Sequence, residues 1–139
     1  MLISQSLLHQ IKSQNFAKRS DYIAALNEAT LALGIFSAHP GLMYRAAAVH
    51  ESMAGILLAM KNLPQARAEV LQARNTFNAA FGQDAKSYYL GRTWLTEAKI
   101  DEVSGERQNA RSAAEAAYQH FVASVGETHP LTEEAKALR

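Results

Sequence analysis

Small and apolar side chains recur at helical spacing along nearly the whole chain, and no stretch shows the period-two alternation and turn pairs of a strand. The pattern divides into seven helices, over about 2–18, 21–37, 41–60, 64–81, 85–104, 106–125 and 130–139. Pro40, Pro64 and Pro130 stand before or within the first turn of three of them, where a missing N–H costs nothing. Gly82, Gly105 and Gly126 follow apolar stretches, as left-handed C-caps do, while Asp84 and Thr128 are candidate N-caps for the segments after them. The connections are short, so successive helices must run antiparallel.

A longer period lies over this one. A small residue, a second seven on and an aromatic four further recur as Ala25-Ala32-Phe36, Ala66-Ala73-Phe77 and Ala110-Ala117-Phe121, at intervals of 41 and 44 residues. Alanine lets antiparallel helices cross closely, and the aromatics fill the space where one hairpin meets the next. Ser20-Asp21-Tyr22-Ile23-Ala24-Ala25, Lys61-Asn62-Leu63-Pro64-Gln65-Ala66 and Gly105-Glu106-Arg107-Gln108-Asn109-Ala110 share one register.

These segments resemble the tetratricopeptide repeat, whose second helix opens with a Gly-x-Tyr-x-x-Ala pattern. The longer period, with His39-Pro40 and Gly126-Glu127-Thr128-His129-Pro130, resembles the kinesin-light-chain type of about 42 residues, a subtype found in many bacterial proteins. The resemblance implies one all-α domain over 1–139, antiparallel hairpins stacked as a right-handed superhelix. Its units cover about 1–40, 41–84 and 85–127, with a capping helix over 130–139. The second unit follows the motif well at Met53, Ala54 and Leu57, and the third carries Trp94 and Ala98. The first departs with Lys12 and Ser13, the third with Glu97 and Asp101.

The resemblance also implies a function: a non-catalytic scaffold, part of a signalling or regulatory assembly, binding a peptide or helix on the concave face lined by first helices. By register the groove candidates are Gln10, Gln14 and Lys18; then Ala48, Glu51, Gly55 and Leu58; then Arg92, Leu95, Lys99 and Glu102. A chaperone-binding clamp for acidic C-termini is not reproduced, because Gln10, Gln14 and Gly55 stand at its places and Arg92 is the lone basic candidate. Tyr88 and Tyr89 lie about 100° apart on their helix, so one of them faces outward. The alternative is a self-associating structural protein docking through its terminal helices, with Leu2, Leu7, Leu8 and Ile11 at one end and Leu131 and Leu138 at the other.

Composition narrows the chemistry. The 14 basic and 13 acidic residues give a net charge of +1 without a basic stripe, which argues against nucleic acid as a partner. Cysteine is absent, so disulfides, thiolate metal sites and cysteine nucleophiles are excluded. Met1–Gln10 lacks a basic leader, and no run of ~18 apolar residues occurs. A cytoplasmic protein with no membrane segment is the expectation.

His50-Glu51 begins like a zinc-protease helix, but Ala54 stands where the second histidine belongs. The histidines, His9, His39, His50, His120 and His129, show no metal-ligand spacing. Isolated glycines make no phosphate loop, and no nucleophile elbow is present, so neither cofactor nor catalysis is expected. Glu97 and Asp101 share a helical face. They read either as a polar site for a cation or basic partner residue, or as a partly solvated end of the array neutralised by Arg107 or Lys99.

Overall fold

A computed structural model describes residues 2–139, with side chains from residue 3 onward. All its regular elements are helical: α1 (Leu2–Lys18), α2 (Tyr22–Ser37), α3 (Met43–Ala59), α4 (Leu63–Phe81), α5 (Tyr88–Val103), α6 (Arg107–Ser124) and α7 (Pro130–Leu138), with one 3-10 turn at Pro40–Leu42. The elements lie within three residues of the spans read from the sequence. Two compact units result, one ending at Thr76 and one running from Phe77 to Arg139, with the boundary inside α4.

The three hairpin turns are built alike. At the first, Ser20 N–H donates to the Ala17 carbonyl and Asp21 N–H to that of Phe16. Lys61 and Asn62 repeat this on Leu58 and Leu57, and Gly105 and Glu106 on Glu102 and Asp101. This is the Schellman arrangement, and it needs a left-handed residue at its centre. Gly105 supplies it at φ 78°, but Ser20 and Lys61 adopt φ 61° and 62° with side chains attached. Gly82 and Gly126, both at φ 90°, end α4 and α6 as the sequence suggests.

Two N-caps differ from expectation. Helix α5 begins at Tyr88 and is capped by the Ser87 hydroxyl, which accepts from Tyr89 N–H at 3.1 Å, rather than by Asp84. Helix α7 is capped by His129, whose Nδ1 accepts from Leu131 N–H at 3.1 Å, rather than by Thr128. Pro130 follows at the first helical position.

All nine members of the Ala-Ala-Phe pattern are buried, none above 1% exposed. Burying each phenylalanine side chain contributes roughly 1.5–3 kcal/mol. The facing first helices are small as well: Ser13, Ala54 and Ala98 occupy one repeat position, and Ser6, Ala47 and Gly91 another, all buried. Ser13 is therefore a repeat small residue with a polar atom, and its Oγ donates to the Ala25 carbonyl at 2.7 Å. In the first unit Ala29, Ala32, Phe36, Ala46 and Val49 form a core between α2 and α3. In the second, Leu95, Ala117, Phe121 and Ala135 form one core, and Ala98, Ala113 and Ala114 another.

Candidate functional site

The first-helix positions of the unit ending at Thr76 fall on α1 and α3. Gln14, Lys18 and Gly55 are exposed, and Gln10, Ala48 and Leu58 are half-buried. Glu51 differs: only 7% of it is exposed, so its carboxylate belongs to the packing as much as to a surface. Gln14 and Gly55 occupy one repeat position, 41 residues apart. A Cβ built on Gly55 meets nothing within 4 Å. Glycine inside a helix costs roughly 0.5–1 kcal/mol relative to alanine, and no packing in the fold requires it here. It leaves bare backbone in the middle of the face.

A feature that spacing between histidines alone did not reveal is a repeated interhelical His–Glu hydrogen bond. His9 Nδ1 donates to Glu28 Oε2 at 2.5 Å, joining α1 to α2. His50 and Glu69 join α3 to α4 through the same atoms. In both pairs 19 residues separate the partners. His50 follows His9 by 41 residues, and Glu69 follows Glu28 by 41, so the repeat interval itself was the signal. The corresponding positions in the third hairpin are Trp94 and Ala113, and Trp94 packs against the cluster of Ala98, Ala113 and Ala114.

The unit from Phe77 to Arg139 treats its first-helix face differently. Arg92 lies 5.9 Å from the Tyr88 ring centroid. Leu95 is buried in the core that contains Ala135 of α7. Lys99 Nζ pairs with Glu134 Oε1 of α7 at 2.6 Å. Glu102 lines a cleft of about 260 Å³ with Arg107, Arg111 and the end of α7, at Ala137, Leu138 and Arg139. Three of these four groove candidates thus meet the C-terminal helix of their own chain.

Glu97 and Asp101, which share a helical face, differ in exposure. Asp101 is 3% exposed and Glu97 half-buried, and each has an interaction partner. Lys99 pairs with Glu134, and Arg107 lines the cleft beside Glu102. Among the described residues no group of three or more His, Cys, Asp or Glu side chains could hold a metal ion.

Aromatic rings form a row in this unit. Phe77 stacks on Phe81 and Tyr89 at centroid distances of 5.8 and 5.3 Å, and Tyr88 meets Tyr89, Phe121 and His129. Tyr89 faces outward at 41% exposure while Tyr88 is half-buried, the division their angular separation demands. His120, which the sequence offered no role, anchors the segment before α5: its Nδ1 accepts from Ser87 N–H at 3.1 Å, across 33 residues. The chain end is fixed electrostatically. Hydrogen bonds from Gln119 and Arg139 hold the Glu115 carboxyl below its ordinary value, and the bond to Glu115 raises Arg139 in turn. The Arg139 guanidinium also lies 3.9 Å from the Tyr118 ring centroid.

No family model and no curated protein matches the chain. Among solved structures it is similar to the crystal structure of BtubC (BKLC) from P. vanneervenii, with a TM-score of 0.75 and 16% identity. The match covers 96% of this chain and 59% of that one, so the chain spans a little over half the length of its structural neighbour. No helix among the described residues is long and apolar enough to cross a membrane. Hairpin order, the Schellman turns and this likeness together show the fold, an all-α helical repeat of tetratricopeptide type.

Proposed function

We propose that the protein is a non-catalytic interaction scaffold, and that the first-helix face of the unit ending at Thr76 receives an extended peptide or a helix of a protein partner. Folds of this type generally serve as interaction scaffolds. The 41- and 44-residue intervals favour the kinesin-light-chain-like subtype within it. The observation that carries the reading is Gly55. It sits exposed in mid-helix, free of any packing need, and lies at the repeat position of exposed Gln14. Bare helix backbone at Gly55 of α3 lets an incoming main chain approach closely, and Gln10, Gln14 and Lys18 on α1 supply polar side chains.

The test is quantitative capture from the native host with the wild-type chain and with Gly55→Arg, a variant expected to fold because the site is open. A partner retained by the wild type and lost by Gly55→Arg, at equal melting temperature, supports the reading. A partner set unchanged by Gly55→Arg and by Gln14→Glu counts against it. A second reading, self-association through the ends of the chain, is favoured by one observation: Ile3, Leu8 and Ile11 of α1 are about half exposed. At the other end Leu131 and Leu138 pack against the α5–α6 core, and the Leu2 side chain lies outside the described residues.

A further inference from the structure

The cleft of about 260 Å³ at the head of α6 holds charge that the fold leaves unbalanced. Its walls carry three guanidiniums, Arg107, Arg111 and Arg139, against one carboxylate, Glu102, an excess of two positive charges. Residues 107, 111, 115 and 118 stand three or four apart and so form one stripe along α6. Glu115 is the acid of that stripe, one turn from Arg111 and at the spacing of a helical ion pair. It is engaged elsewhere: its Oε2 accepts from Arg139 at 3.0 Å and its Oε1 from Gln119 at 2.8 Å. Arg107 and Arg111 carry no ion pair among the described residues, although Glu102 lines the same cleft. Like charges one turn apart disfavour a helix, and cations near its start also oppose its dipole. Arg139, by contrast, is fixed, by Glu115 and by the Tyr118 ring, whose centroid lies 3.9 Å from its guanidinium.

We propose that this cleft is a receptor site for a phosphate monoester, held by Arg107 and Arg111 with the fixed Arg139 as a third donor. The guanidinium fork matches the paired oxygens of phosphate and carboxylate alike. Charge separates the two. A phosphate monoester carries about 1.5 to 2 negative charges at neutral pH and cancels the excess in the cleft, whereas a carboxylate cancels half of it. Glu102 opposes every anion and leaves a singly charged one weakly bound. A water's share of liquid volume is about 30 Å³, so a cleft of about 260 Å³ also admits the group that carries the phosphate. That group is a small molecule or the side chain of a phosphorylated protein, and the chemistry of capture is the same for both. This goes beyond the first reading and does not depend on the α1–α3 face.

The test follows the arginine side-chain N–H signals of the full chain by nuclear magnetic resonance at constant ionic strength. The probes are phenyl phosphate, benzoate and a capped alanine peptide with one central phosphoserine. Phenyl phosphate should move the Arg107 and Arg111 signals along a saturable curve and bind at least about tenfold more tightly than benzoate. Arg107→Gln and Arg111→Gln, both at exposed positions and expected to melt as the wild type does, should each weaken it about tenfold. Glu102→Gln should tighten it about threefold by removing the opposing charge. Acidification through about pH 6 should weaken it, because the phosphate then loses its second charge. A phosphoserine peptide about tenfold tighter than phenyl phosphate supports the site with a phosphorylated protein as the source, and equal binding supports it with a small phosphate as the source. The proposal is overturned if the signals follow ionic strength alone, or if benzoate binds as well as phenyl phosphate. It is equally overturned if the double variant Arg107→Gln/Arg111→Gln binds as the wild type does. Gly55→Arg should leave all these readouts unchanged, which separates failure here from failure of the first reading.

Discussion

Gly91 and Gly55 both lie inside first helices, and their surroundings give them opposite meanings. A Cβ on Gly91 would sit 2.7 Å from Phe121 Cε1, and Phe121 is fully buried. Gly91→Ala should therefore overpack the core at a cost of about 1–3 kcal/mol, of which the roughly 1 kcal/mol better helix propensity of alanine returns only part. Denaturant melts at constant m-value measure it, and a variant as stable as the wild type would remove the steric account. Position 91 shares its repeat register with Ser6 and Ala47, so the need for a small side chain there follows from the repeat. That glycine alone fits depends on where the Phe121 ring rests, which no spacing reveals.

Hairpin turns show what a local element leaves legible. The left-handed centre was readable at Gly105, because glycine advertises it, and hidden at Ser20 and Lys61, whose φ values follow from the shared hydrogen bonds. An L-residue there costs roughly 1–2 kcal/mol, partly offset by the greater unfolded-state freedom of glycine. Lys61→Gly should accordingly stabilise the protein by about 0.5–1 kcal/mol. A fall in the urea midpoint would contradict it. The caps of α5 and α7 were misread for a related reason: Ser87 is fixed by His120 from 33 residues away, and histidine is not among the usual capping residues. The contact between Glu115 of α6 and Arg139 also carries a pH response. The Glu115 carboxyl is held below its ordinary 4.5 by Gln119 and Arg139. A lowered folded value means that the tie to Arg139 contributes fully above 4.5 and is lost as pH falls through the lowered value. In a nuclear magnetic resonance titration Glu115 should turn below 4.5, with Arg139 loosening in the same step and Glu115→Gln abolishing it. A midpoint at or above 4.5 would dissolve the pairing.

For the whole molecule the open question is whether copies of the chain associate, and repeat equivalence supplies the argument. Helix α3 packs on α2 through Ala46 and Val49, with Met53 partly buried beside them. The same register on α1 reads Gln5, Leu8 and Lys12, all exposed. The departure at Lys12 thus falls on a face that α3 buries, where α1 carries two polar residues out of three and all three are exposed. The groove was less legible than the scaffold because register alone says nothing of what covers a position, and Leu95 and Lys99 meet α7 where Gln14 and Gly55 meet solvent. What stays apolar on α1 is Ile3, Leu8 and Ile11, each about half exposed. Three such side chains fall well short of the roughly 800 Å² per partner that a stable interface buries. The protein should therefore scatter light as a monomer across a wide concentration range, with Leu8→Glu leaving its mass unchanged. A dimer that strengthens with concentration and disappears in Leu8→Glu would select self-association instead, since lysine and glutamine at the same face would then have failed to keep two copies apart.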